Sequence, residues 1–120
     1  MKYRESEEMY LETILLIKNQ KGTVRAIDIA GELGYAKSSV SRAVGLLVGR
    51  GYVCVDEATN EITLTESGTA RATEIYERHH AITELLKRLG ASDEVAEDNA
   101  CRIEHVITPE MFEVVKKYLK

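Results

Sequence analysis

Apolar and polar positions alternate with two different periods along this chain, and the changes of period mark its elements. "SEEMYLETILLIKNQKG" places Met9, Ile14, Leu16 and Ile17 on helical spacing. Ser6 is the expected N-cap, Glu7 and Glu8 sit in the first turn, and Gly22 is the stop. "VRAIDIAGELGYAKSSVSRAVGLLVGRG" predicts two helices about a tight break. The first runs from Ala26 to Leu33 and ends at Gly34. The second is capped near Lys37 or Ser38, turns Val40, Ala43, Val44 and Leu47 inward, and stops at Gly51. The period then switches to two. Tyr52–Val55 and Glu61–Leu64 flank a polar turn with Thr59 and Asn60, a β-hairpin pattern. A long helix follows from a Thr65 cap to Gly90. Ser92 caps the next, expected to reach His105 or Val106, and Thr108–Pro109 opens a last helix to about Leu119.

Composition narrows the class. The 120 residues are 44% hydrophobic and 30% charged with a single Pro, the profile of a helix-rich protein. No apolar run has the length of a membrane span and "MKYRESEEMY" lacks a signal-peptide core, so no membrane partner and a cytoplasmic location are expected. There Cys54 and Cys101 should stay reduced, and Cys54, alternating with Val53 and Val55, is expected to be a half-buried hydrophobe. The net charge of −4 is unevenly spread. Residues 21–50 set Lys21, Arg25, Lys37, Arg42 and Arg50 against Asp28 and Glu32. Residues 91–105 set Arg102 against Asp93, Glu94, Glu97, Asp98 and Glu104. A basic module suited to phosphate precedes an acidic one suited to a cation.

Helix, helix, tight turn, helix and hairpin, in that order, describe a winged helix-turn-helix. The second helix of the pair opens with "AKSSVSR", so Lys37, Ser38, Ser39, Ser41 and Arg42 stand where such proteins reach into the major groove, and Asn60 at the hairpin tip could touch backbone beside it. The alternative is an αα-corner with a solvated polar end. The hairpin, placed where a wing belongs, favours the DNA-reading module.

The acidic module carries "ACRIEH". Cys101, Glu104 and His105 are spaced i, i+3, i+4, over one patch of a helix. Soft sulfur, hard oxygen and borderline nitrogen together suit a divalent transition metal. The remaining histidines are in "RHH", Arg78–His80, and Met9 and Glu12 share a face of the first helix. Each of these alone has a plainer reading, Met9 as core filler and the histidines as surface residues.

Together "SEEMYLETI", "IDIAGELGYAKSSVSRAVGLLVGRGYV", "LTESGTARA" and "ACRIEHVIT" resemble the diphtheria toxin repressor family of metal-dependent regulators, which includes iron-dependent and manganese transport regulators. The resemblance spans nearly the whole chain. It implies a mostly α fold, with a winged helix-turn-helix DNA-binding domain over 1–72 and a helical metal-binding and dimerisation domain over 73–120. It implies a repressor that binds double-stranded operator DNA as a homodimer when metal is bound, with no enzyme activity and no small-molecule substrate. The iron-type primary site matches Met9, Cys101, Glu104 and His105. Manganese-type members carry Asp and Glu in place of Met9 and Cys101, and their second position matches Glu12 and His79. The iron-type ancillary site keeps only His79, because Thr83 and Glu97 replace its Glu and His. With the chain ending at Lys120, the family's SH3-like domain is expected to be absent.

Thioether and thiolate donors move preference from Mn(II) toward Fe(II), with Zn(II), Co(II) or Ni(II) expected to bind in vitro. The expected mechanism is binding linkage. Glu97, Asp98 and Glu104 repel one another until a cation neutralises them, and Met111, Phe112, Val115 and Leu119 are candidates for the dimer contact. Two other classes are weighed. A metal-independent winged-helix regulator would sense oxidation at Cys101, but leaves Met9, Glu12 and His79 without a role. An enzyme with Cys101 as nucleophile and His105 as base lacks an oxyanion hole or glycine-rich loop.

Overall fold

Helix α1 (Lys2–Lys21) buries Ile14 and Ile17 as expected, together with Leu11, while the expected Met9 and Leu16 are half-buried. The computed structural model describes residues 2–120, with side chains from Glu7 onward. The helix starts four residues before Ser6, whose expected capping side chain lies outside the described residues. After α1 come α2 (Ala26–Leu33), α3 (Lys37–Gly49), β1 (Val53–Val55), β2 (Ile62–Leu64), α4 (Glu66–Arg88), α5 (Asp93–Ile103) and α6 (Pro109–Leu119). The chain divides into two compact units, Met1–Thr73 and Glu74–Lys120, with the boundary inside α4.

In the first unit, α1, α2, α3 and the hairpin enclose a core of Leu11, Ile14, Val24, Ile29, Val40, Leu47, Val53 and Ile62. Helix α2 ends where expected because Gly34 adopts a left-handed conformation (φ 70°) and its N–H returns to the Ala30 carbonyl. At its other end the Asp28 carboxylate takes the Lys21 ammonium at 2.6 Å and the Arg25 N–H at 2.9 Å. Those two bonds hold its carboxyl below the ordinary range. Helix α3 differs from expectation at its start. Its N-cap is Ala36, which has no side-chain acceptor, and neither Lys37 nor Ser38 caps it. The Ala36 carbonyl accepts the first amides, so the hydroxyls of Ser38 and Ser39 stay exposed.

Strands β1 and β2 pair antiparallel, Val53 opposite Leu64 and Val55 opposite Ile62, each one residue shorter than its pattern. Tyr52 still accepts from the N–H of Thr65, its neighbour in register, but its own N–H goes to the Leu47 carbonyl. With Val53 facing the core, Cys54 faces outward. It is exposed and not half-buried, because a two-residue period cannot bury adjacent side chains on one face. Asn60 at the wing tip has φ 61°, a conformation Asn tolerates, and the Asp56 carboxylate accepts the Ala58 and Thr59 amides. Thr65 caps α4, its hydroxyl oxygen accepting from the Gly68 N–H at 3.0 Å. Gly68 lies so close to the Tyr52 carbonyl that a Cβ there would overlap it. Nearby, Arg71 gathers Glu7 (2.8 Å), Glu8 (3.4 Å) and the Tyr52 hydroxyl (2.7 Å), and Arg50 adds a second cation on Glu7.

In the second unit the expected starts hold. The Ser92 hydroxyl accepts from Val95 and that of Thr108 from Met111, each at 3.2 Å, caps worth about 1 kcal/mol apiece. Gly90 (φ 110°) ends α4's approach to the next helix. Ile75, Ile82, Ala96, Ala100 and Val115 are its buried apolar residues. Of the α6 positions expected to be sticky, Val115 is buried and Phe112 and Leu119 are half-buried. Met111 is exposed, and so are Val114 and Tyr118, which were not among the expected positions.

Candidate metal centre and nucleic-acid face

Helix α5 stops at Ile103, short of the expected end, and Glu104 and His105 sit in the turn beyond it. Glu104 keeps helical backbone angles, φ −59° and ψ −25°, so the i, i+3, i+4 relation to Cys101 persists. Its side chain is fully buried, at 0% exposure. A carboxylate hidden from water needs compensating partners. One oxygen, Oε2, lies 2.7 Å from His79 Nδ1, contributed by α4. With an ionised carboxylate as acceptor, this bond requires the proton on Nδ1. The other oxygen, Oε1, is 3.3 Å from His105 Nε2 but outside hydrogen-bond geometry. Among the described residues it has no hydrogen bond.

Donor atoms of His79, Cys101 and Glu104 all lie within 4.8 Å of one another. Sulfur, nitrogen and oxygen at that spacing, with a buried carboxylate oxygen lacking a donor, fit a divalent transition metal. Cys101 is exposed and outside any disulfide. His105 joins through Glu104, so the buried carboxylate is the hub of the cluster.

The acidic neighbours divide differently from expectation. Glu97 is an exposed carboxylate 3.9 Å from His79 Nε2, whereas Asp98 turns to Arg102 at 3.7 Å and is not part of the cluster. Mutual repulsion among Glu97, Asp98 and Glu104 therefore does not describe the site. Thr83 donates its hydroxyl to the His79 carbonyl at 2.7 Å, which steadies the α4 backbone at the imidazole. Met9 and Glu12, on α1 of the first unit, are both half-buried, and the Tyr35 hydroxyl stands 4.0 Å from Met9 Sδ.

Sequence reading overlooked Arg78. It is buried, and its Nη1 donates to the Glu104 main-chain carbonyl at 2.9 Å. The residue stood in view beside His79, but no spacing rule links an arginine to a carbonyl 26 positions away.

In the first unit, Lys37, Ser38, Ser39, Ser41, Arg42 and Asn60 are all exposed. A groove of about 440 Å³ between α3 and the hairpin is lined by Lys37, Ser41 and Asn60 together with Arg25, Val48 and Val55. Arg25 also donates from Nε to the Thr59 carbonyl at 2.9 Å, fastening the wing tip to the start of α2. Its basic charge was legible, its hold on the wing was not. Among the described residues no helix is long and apolar enough to cross a membrane.

Comparisons with known proteins match two family models in succession along the chain. Residues 2–58 match the family described as "Iron dependent repressor, N-terminal DNA binding domain", and residues 65–120 match "Iron dependent repressor, metal binding and dimerisation domain". An HTH-type transcriptional regulator of Methanocaldococcus jannaschii is 32% identical over 118 residues, 97% of this chain and 94% of that one. The HTH-type transcriptional regulator MntR of Lysinibacillus sphaericus is 33% identical over 100 residues, 83% of this chain and 71% of that one. The crystal structure of T. acidophilum IdeR superposes with a TM-score of 0.82 at 26% identity, covering 93% of this chain and 53% of that one, so the chain spans about half that protein's length. These relatives are regulators and not enzymes. The chain belongs to the iron-dependent repressor family of metal-dependent transcriptional regulators, the diphtheria toxin repressor type its sequence resembles.

Proposed function

We propose that this chain is an Fe(II)-responsive repressor that binds operator DNA as a homodimer. The observation that carries the metal choice is the convergence of Cys101 with His79 and Glu104, donor atoms within 4.8 Å. A thiolate in the set favours Fe(II) over Mn(II), which prefers oxygen. His105 joins the set through Glu104, and Met9 and Glu12 are further donors on the strength of the sequence match. Manganese is the second reading, supported by Glu12 and His79 and by the likeness to a regulator named MntR.

A divalent cation bound at these residues would supply positive charge at the buried Glu104 carboxylate, whose Oε1 has no hydrogen bond among the described residues. His79 and Glu104 orient each other before binding, so few side chains need ordering. Lys37, Ser38, Ser39, Ser41 and Arg42 on α3 reach base edges and phosphates, and Asn60 touches backbone from the wing. Met111, Val114 and Tyr118, exposed on one helix, contribute to the contact with a second copy. Such a dimer offers two α3 helices to successive major grooves about 34 Å apart.

Anaerobic gel shifts with duplexes selected from a randomised pool, run across Fe(II) and Mn(II) concentrations, test this reading. Fe(II) should drive the shift at the lower free concentration. A shift driven by Mn(II) alone would reverse the metal assignment, and Cys101→Ser should then change little.

A further inference from the structure

Two consecutive residues of α4 grip opposite ends of Glu104. His79 Nδ1 holds its carboxylate Oε2 at 2.7 Å, and Arg78 Nη1 holds its main-chain oxygen at 2.9 Å. We infer that Arg78 is a positioning residue for the metal centre, a guanidinium that sets the backbone of Glu104 so that the carboxylate stands between His79 and His105.

The need for such a residue arises at the end of α5. A helix leaves its last carbonyls without intrahelical partners, and here Glu104 is the C-cap. Its N–H still closes the helix on Ala100, while the Ile103 carbonyl takes the amides of Val106 and Ile107. The Glu104 carbonyl lies beyond these bonds, in a residue with no exposure, and a buried carbonyl requires a donor. The donor comes from a different helix. It crosses 26 positions of sequence and is itself buried, at 9% exposure. Placing a guanidinium there fixes the φ/ψ of the one residue whose side chain is the hub of the cluster. Backbone angles at a ligand decide where its oxygens fall, and groups behind a first ligand commonly govern affinity as strongly as 10–100-fold.

Charge alone argues the other way. A cation beside a cation site weakens its binding. Positioning and charge therefore make opposite demands. Removing the guanidinium should weaken metal binding if it positions Glu104, and strengthen it if only its charge is felt. A role confined to folding would shift the unfolding temperature and leave the metal's coordination unchanged.

This inference rests on the metal-centre reading above, and one experiment separates the two. The full chain, Arg78→Lys and Arg78→Met are titrated anaerobically with Co(II). Visible absorption reports the coordination, and thermal unfolding of the metal-free proteins is recorded alongside. The unsubstituted chain should bind with a thiolate-bearing Co(II) spectrum; no binding there overturns the metal centre itself and the inference with it. Arg78→Met should bind about tenfold or more weakly, with altered band positions or intensities. Arg78→Lys keeps a donor on a similar stem and should lose only about threefold, a partial rescue. Equal or tighter binding by Arg78→Met with an unchanged spectrum overturns the inference while leaving the metal centre standing. Should Arg78→Met fail to fold, Arg78→Lys decides, since a constant and spectrum identical to the unsubstituted chain would overturn it.

Discussion

The two units bury different proportions of apolar and charged groups. The first hides mostly aliphatic side chains from α1, α2, α3 and the hairpin, with one carboxylate, Glu8, set against Arg71, and keeps the polar residues of α3 on its surface. The second hides fewer large aliphatics, alanines in their place, and buries a carboxylate and a guanidinium with them. Apolar burial rewards the fold directly, at roughly 25 cal/mol per Å². A buried carboxylate does not, and persists only with partners. The contrast teaches where to look for function. On the proposed reading, the first unit acts through its surface and the second through a cluster built on a buried carboxylate.

Substitutions should respect that contrast, and the strongest test of it is at Glu104. Glu104→Gln keeps the shape and removes the charge. It should reduce metal affinity by about 100-fold or more while leaving the helical far-UV signal intact, as measured by anaerobic titration and circular dichroism. Retained metal response would place the centre elsewhere.

In the first unit the comparable blow is to packing. Leu11→Ala, at a side chain with no exposure, should cost about 3 kcal/mol in a denaturant melt. It should weaken DNA binding only through the unfolded fraction. Arg42→Ala is the surface counterpart. It should weaken duplex binding roughly tenfold and flatten its salt dependence by about one ion, with Co(II) affinity unchanged. A loss of metal affinity there would blur the division of labour between the units.

The smallest effect is expected at Asp28. Asp28→Asn removes the pairing with Lys21 and should destabilise by about 1 kcal/mol near neutral pH. Because the folded carboxyl is held below its ordinary range, its contribution is present above the unfolded value. It is lost as pH falls through the lower, folded value. The difference between Asp28→Asn and the unsubstituted chain should therefore shrink in acid; a difference that persisted below both values would assign the effect to packing.

Periodicity made most of the fold legible. The bounds of α2 and α6 follow from Gly34 and from Thr108–Pro109, because those residues act through local backbone geometry. Sequence pattern fails where a partner is distant. Tyr52 gives its N–H to Leu47, and α5 ends early where the Glu104 carbonyl takes Arg78 of another helix. The same limit shaped the site. Cys101, Glu104 and His105 were visible as one patch because helical spacing is local. That His79 closes on Glu104, and that Asp98 turns away to Arg102, depends on how α4 and α5 pack and on a competing ion pair. Residue type announced the chemistry, and packing chose which of the candidates share it.

The claim at the centre is that metal held by the second unit governs DNA binding by the first. Fluorescence anisotropy of a selected duplex, titrated anaerobically with the full chain in excess Fe(II) and again in chelator at the same ionic strength, measures that linkage. The account predicts duplex binding at least about tenfold tighter with Fe(II), a coupling of about 1.4 kcal/mol or more. Superimposable curves in metal and chelator would contradict it.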